Sequence, residues 1–431
     1  MRSMRPWKSL LLGFSLVLIA CTGPGPLVQG PQDDPTPSPS ASDPSGDPHA
    51  TPDPSGEVQG RLHDLVTGKP LAGATILLGT RTLTSASDGS FRETVAQSGL
   101  ATTILADGYV PLTILGYAGG PLFMRPNATS PLATSSVTIA LQAPAGASSD
   151  SVLAIAVKPP GYSHASTAYL GTVPFSAQGT ASVTVTLPQG DATLLAYGTK
   201  GTIVGSLQAP VSASLSLTLS AIPSYAPYQA SVPKLREDAS TTQLAAFSLV
   251  WPGEAPETPS SLGLGLVSGE TTNRPIALPP ASAFGLAQAS YSVTGSVLTT
   301  DSPRLTLAER TLSGVTPGAF AVSLLSEPQS QPLAGSFGLL PSPTSGATAY
   351  VADVLDSSTQ APLWRLVSLG QTPTRLTLPE LPASLQSWRL PSGKAYRLQA
   401  GSADGLLGFK ATRAYSLGQP QTVTLPSGDQ P

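Results

Sequence analysis

Proline and glycine punctuate this chain from end to end, 45 and 42 times in 431 residues. Proline removes a backbone donor and glycine costs helix stability wherever it falls, so long helices are disfavoured throughout. Apolar residues still make up 40% of the chain, more than a disordered polymer carries, so the body must fold. The predicted class is all-β. At ordinary domain sizes this length holds two to four domains rather than one continuous core.

A single cysteine, Cys21, rules out a disulfide framework and any thiolate metal cluster, since both need several. Arg2, Arg5 and Lys8 precede an apolar run from Leu10 to Ala20, the layout of a secretory signal peptide over residues 1–20. As a helix that run spans about 16 Å, roughly half a bilayer core. It is too short for a membrane span. Leu18-Ile19-Ala20-Cys21 resembles the lipobox of bacterial lipoproteins, in which the thiol receives a diacylglyceryl group and the mature chain starts at the cysteine. The resemblance implies lipidation of Cys21 by two or three acyl chains of palmitate type, a membrane as partner and a place in the cell envelope. Thr22 stands where that family uses Asp to retain proteins in the inner membrane, which implies the outer membrane or cell surface. The alternative is an incidental cysteine with cleavage elsewhere.

Residues 21–56 form a Pro/Ser/Asp-rich linker: from Thr22 to Gly56 there are ten Pro, five Asp and no Lys or Arg. Such a segment cannot bury a core and is biased to extended polyproline II. It is expected to be a disordered stalk.

From Glu57 the pattern changes. Val58 and Leu62 alternate with Arg61 and His63, both expected to be exposed, before a turn at Thr67-Gly68-Lys69-Pro70. Ala74 to Leu78 reads as a buried strand, Asp88-Gly89 as a tight hairpin turn, and Phe91 to Val95 as the returning strand. Val58, Gly60, Leu62 and Asp64, then Thr67, Gly68, Pro70, Leu71, Gly73 and Ala74, then Asp88, Gly89 and Phe91, then Gly108 and Tyr109 resemble the signature of the carboxypeptidase regulatory-like domain. That resemblance implies a transthyretin-type β-sandwich over 57–145, closed by the strand "SVTIALQA" at 136–143. It is an accessory fold, so no peptidase activity is implied.

Glycines at 99, 190, 318 and 393 each precede an alternating strand, and four copies of this device suggest four tandem β-sandwich domains. After the first, the boundaries are expected at 150–222, 239–328 and 332–428, with a charged, Pro-containing connector at 221–238. "TAYVADVLD", "APLWRLVSL" and "KAYRLQAGSAD", with Tyr350, Trp364 and Tyr396, weakly resemble the middle strands of a fibronectin type III-like sandwich. Trp251, Trp364 and Trp388 either pack separate cores or form a sugar-binding platform.

Chemistry is sparse. With net charge −3 and no long basic run, the chain has no electrostatic footprint for nucleic acid. The three histidines, His49, His63 and His164, lack the spacing of a zinc site, so no metal and no cofactor is expected. No nucleophile elbow or phosphate loop occurs. Ser163 and His164 are adjacent, and on a strand they would point to opposite faces, so sharing a proton would need an irregular turn. No catalytic residue is assigned. The expected function is a non-catalytic lipoprotein presenting a rod of sandwich modules to a protein or glycan partner through the loops 65–73, 85–90 and 115–135. The alternatives are a carbohydrate-binding component of a nutrient-uptake system and, last, a cryptic hydrolase.

Overall fold

The computed structural model describes residues 56–426 apart from 96–99, 145–149, 199–202, 224–225, 236–240, 255–257, 270–274, 302–303, 334–336 and 405–413. The leader, Cys21, the stalk up to residue 55 and Gly99 lie outside the described residues. The regular structure of the described residues is almost entirely strand, with two short 3-10 helices at Ala281–Phe284 and Ala383–Trp388, in agreement with the all-β expectation.

The first unit contains β1 (Glu57–Asp64), β2 (Thr75–Leu78), β3 (Arg81–Thr84), β4 (Ser90–Thr94), β5 (Thr102–Leu105), β6 (Leu112–Leu115) and β7 (Gly119–Met124). The second contains β8 (Thr134–Gln142), β9 (Asp150–Lys158), β10 (Ser166–Pro174), β11 (Thr180–Pro188), β12 (Asp191–Gly198), β13 (Ile203–Pro210), β14 (Ser214–Thr218) and the short β15 (Ser220–Ala221). The third contains β16 (Pro227–Ser231), β17 (Thr241–Trp251), β18 (Ser260–Gly269), β19 (Ile276–Ala277), β20 (Ser290–Asp301), β21 (Arg304–Ser313) and β22 (Gly318–Ala321). The fourth contains β23 (Ser330–Pro332), β24 (Gly338–Pro341), β25 (Ala349–Asp356), β26 (Pro362–Leu369), β27 (Leu376–Thr377), β28 (Ala395–Asp404) and β29 (Ala414–Thr424).

The first three units share one strand order. A three-stranded sheet places the unit's first strand between its fourth and seventh, as in β4-β1-β7, β11-β8-β14 and β19-β16-β22. The first and seventh strands run parallel each time. Facing it is the order third, second, fifth, sixth, as in β3-β2-β5-β6 and β10-β9-β12-β13. The fourth unit keeps β26-β25-β28-β29 and β24-β27, but β23, which precedes its first strand, takes the seventh position and runs antiparallel. Thr134–Gln142, expected to close the first unit, instead opens the second: it pairs with β11 and β14.

The units do not string out as a rod. β18-β17-β20-β21, β29-β28-β25-β26 and β6-β5-β2-β3 join into one twelve-stranded sheet, sewn together where β21 meets β29 and where β26 meets β6. In the five-stranded sheet of the second unit, the central strands β9 and β12 are buried on both faces. Leu153, Ile155, Leu194 and Ala196 enter that unit's own core, whereas Ala154, Ala156, Leu195 and Tyr197 enter the core of the third unit. Those continuous apolar runs suit a sheet covered on both sides. The second unit returns to the first, because the Ser163 N–H donates to the Thr67 carbonyl. Contacts therefore run from the first unit to the fourth, third, second and back to the first.

Gly190 shows why one turn demands glycine. Its φ is +139°, and a Cβ there would lie 2.2 Å from the Lys158 carbonyl oxygen. Gly190→Ala is expected to cost about 1–3 kcal/mol, read as a lowered urea midpoint. Gly318→Ala, where a Cβ meets nothing within 4 Å, is expected to cost less.

Candidate functional site

The motif residues of the first unit converge locally. Asp64 Oδ1 accepts the N–H groups of Val66 and Thr67, at 2.8 and 2.6 Å, which fixes the Thr67–Pro70 turn. Tyr109 donates its hydroxyl to Asp64 Oδ2 at 2.6 Å, and burial first, then this carboxylate, pushes the phenol well above its usual range. His63, expected to be exposed, is buried: its ring stacks on Phe123, and Nδ1 lies 3.1 Å from the Gly68 carbonyl oxygen. Gly89 takes the expected positive φ, +78°. Its turn, however, carries the chain from β3 in one sheet to β4 in the other rather than closing a hairpin.

The three loops expected to present a binding surface are placed differently. Residues 65–73 abut the second unit and 115–135 contain β7 and the start of β8. The 85–90 turn is held by Asp88, whose carboxylate accepts from the Ser90 N–H and pairs with Arg61.

Pro159, Pro160 and Gly161 keep the next segment out of β9 and bend it back, with Tyr162 N–H donating to the Pro159 carbonyl. This is the irregular turn that adjacent Ser163 and His164 require, and it brings Ser163 Oγ to 3.4 Å from His164 Nδ1. Burial pulls the His164 pKa down while Asp64 pushes it up. The remaining geometry is structural. Ser163 Oγ lies 3.1 Å from the Thr67 carbonyl oxygen and 2.9 Å from Thr258 Oγ1, so the hydroxyl bridges loops of the first, second and third units. Asp64, the carboxylate acting on the imidazole, already accepts from Val66, Thr67 and Tyr109.

Beside this turn a cleft of about 440 Å³ opens between the second and third units. Trp251, at the end of β17, lines it and is half-buried. Thr193, Ser163 and Ser260 are buried polar residues of the lining, and Gln208 stands exposed at its edge. At the rim Lys158 Nζ sits 2.7 Å from Glu254 Oε1 and 3.9 Å from Asp191 Oδ2. The pairing raises the Lys158 pKa and lowers that of Glu254, each chiefly through their mutual hydrogen bond. Glu254 and Ser260 are each tied to the second unit: the Glu254 N–H donates to the Ser163 carbonyl, and Ser260 Oγ accepts from Ala165 N–H. Gly253 admits no side chain, since a Cβ would fall 1.9 Å from the Thr258 carbonyl oxygen.

Of the three candidate tryptophans, only Trp251 lines this cleft. Trp364 is 2% exposed in the core of the fourth unit, and Trp388 packs against the same core, so the three form no common platform. Composition singled out Trp251 but missed Lys158, Asp191 and Glu254. Their available signal was charge at or just beyond strand ends, beside Pro159, Gly190 and Gly253, in a chain only 11% charged. Among the described residues, no group of three or more His, Cys, Asp or Glu is placed to hold a metal ion. No family model matches the chain, and no curated protein sequence matches it.

Proposed function

We propose that the protein is a non-catalytic lipoprotein of a bacterial cell envelope, at the outer membrane or cell surface, that presents its joined sandwich units to a binding partner. The observation that carries this reading is the sequence Leu18-Ile19-Ala20-Cys21 at the end of an apolar run behind three basic residues, holding the only thiol of the chain. Two or three acyl chains on that sulfur, at about 0.8 kcal/mol per buried CH₂, anchor a protein durably. The proline-rich segment then serves as a stalk between bilayer and folded body.

For the first unit, the kinship with carboxypeptidase regulatory-like domains is supported by the contact between Asp64 and Tyr109, two signature residues far apart in sequence. The same strand order in the next two units supports reading the body as repeated modules. A binding role is favoured over hydrolysis because Ser163 bridges loops of three units and the carboxylate near His164 is committed to a turn.

The test is the natural product itself. Intact-mass analysis is expected to show a chain starting at Cys21 and carrying diacylglycerol, partitioning into detergent. Cys21→Ser is expected to abolish both the adduct and the partitioning. A plain peptide N-terminus released into medium overturns the reading.

A further inference from the structure

We propose that the cleft lined by Trp251 binds a neutral or amine-bearing oligosaccharide. This rests on the reading of the protein as a binding module and names the ligand class of its site. Ligand sites favour junctions between domains and volumes of about 300–1,000 Å³, and a cleft of about 440 Å³ between two units lies within that range.

The lining then selects by exclusion. An apolar ligand would cover Thr193, Ser260 and Gln208, and the ion pair at the rim, without replacing their hydration, which carries a penalty for each group. An acidic ligand, phosphate or uronate alike, would meet two carboxylates, Asp191 and Glu254, whose near ammonium, Lys158, both already engage, while the charge of Lys69 also acts on Glu254. A polyhydroxylated ring suits both kinds of wall. Its apolar face can lie on the indole of Trp251. Its hydroxyls can donate to Asp191 and Glu254 and accept from Lys158, in the stronger class of charge-assisted hydrogen bonds. An amine on the sugar would donate to the same two carboxylates.

The cleft is also preorganised. Its two sides belong to units that share a core, and Glu254 itself is held by a backbone hydrogen bond to Ser163. Little ordering cost remains for binding.

The experiment is calorimetric titration of the full chain in detergent with maltotriose, the trimer of N-acetylglucosamine, the trimer of glucosamine and the trimer of galacturonate, following tryptophan fluorescence in parallel. At least one of the first three is expected to bind, with galacturonate about tenfold weaker or more, a difference of about 1.4 kcal/mol. Trp251→Ala is expected to lose about tenfold or more of the binding, on the same scale. Trp251 also packs against the shared core, so Glu254→Gln, at an exposed side chain, gives a second test: weakened binding with an unchanged melting temperature. Absence of binding by all three sugars at millimolar concentration overturns the proposal, as does tighter binding of galacturonate or native affinity in both variants. Those outcomes leave lipidation of Cys21 untouched, and a lipid-free Cys21 leaves this titration untouched, so the two readings fail separately.

Discussion

Replacing Trp364 with alanine is expected to destabilise the protein by about 3–5 kcal/mol, the cost of emptying a large aromatic site in a packed core. The indole is 2% exposed and lies among Tyr350, Leu366, Leu376 and Tyr396 of the fourth unit, together with Leu77 and Leu105 of the first. It also acts across the seam between those units. Trp364 Nε1 donates to Thr113 Oγ1 at 3.0 Å, and Thr113 Oγ1 lies 3.0 Å from Thr103 Oγ1, both threonines being buried. Truncation therefore opens a cavity and leaves a buried hydroxyl pair short of a donor. Trp364→Phe, which fills much of the volume but removes the N–H, is expected to cost about 1–3 kcal/mol. Because β6 and β26 pair in parallel through four residue pairs, Arg365 to Ser368 with Leu112 to Leu115, loosening should cross the seam. Denaturant titration measures the loss, and hydrogen exchange locates it: the amides of β6 should exchange faster in Trp364→Ala. If β6 stays as protected as in the native chain, the first unit does not depend on the fourth.

Local turn chemistry was legible in the sequence, whereas pairing across units was not. Thr67–Pro70 and Asp88-Gly89 announced turns through residues whose own side chains and φ angles make them, as Asp64, Gly68 and Gly89 do in the fold. The turn glycines gave only half of the repeat. Gly190 and Gly393 do precede the fifth strand of their units, but Gly318 precedes the seventh strand of the third. A glycine before an alternating strand says that a strand follows, not which strand it is. The same ambiguity moved Thr134–Gln142 into the wrong unit, since alternation is identical whichever sheet receives it. Its partners, Thr180–Pro188 and Ser214–Thr218, are chosen by surfaces that fold later in the chain. The seam between β21 and β29 joins segments about a hundred residues apart and carries no local mark. Two features of the sequence do mark these departures. Pro159-Pro160-Gly161 forbids the strand assumed for Ser163 and His164. The unbroken apolar runs in β9 and β12 describe strands covered on both faces rather than the outer layer of an isolated sandwich.

That seam also holds the group expected to dominate the response to pH. Glu309, on β21, pairs in register with Ser296 of β20 and with Tyr415 of β29, and only 5% of it is exposed. Its Oε2 has no hydrogen-bond partner among the described residues, and burial pushes its pKa from 4.5 up to about 7. Ionising a carboxylate buried in such a place is costly, so the folded state holds the proton that the unfolded state releases. Between the two values the native protein binds more protons than the unfolded chain, and stability must fall as pH rises. The contribution of Glu309 is intact below about pH 4.5, declines through the window up to pH 7 and is fully lost above it. At 1.36 kcal/mol per pKa unit the loss is about 3 kcal/mol. Glu309→Gln keeps the shape and removes the proton, so the variant should gain stability over the native chain at pH 8 and lose the advantage at pH 4.5. Urea midpoints of both chains across that range measure the difference, with every other titrating group common to the two. Parallel curves would mean that the side chain ionises freely in the folded protein, and that β21 and β29 separate enough at their seam to let water reach it.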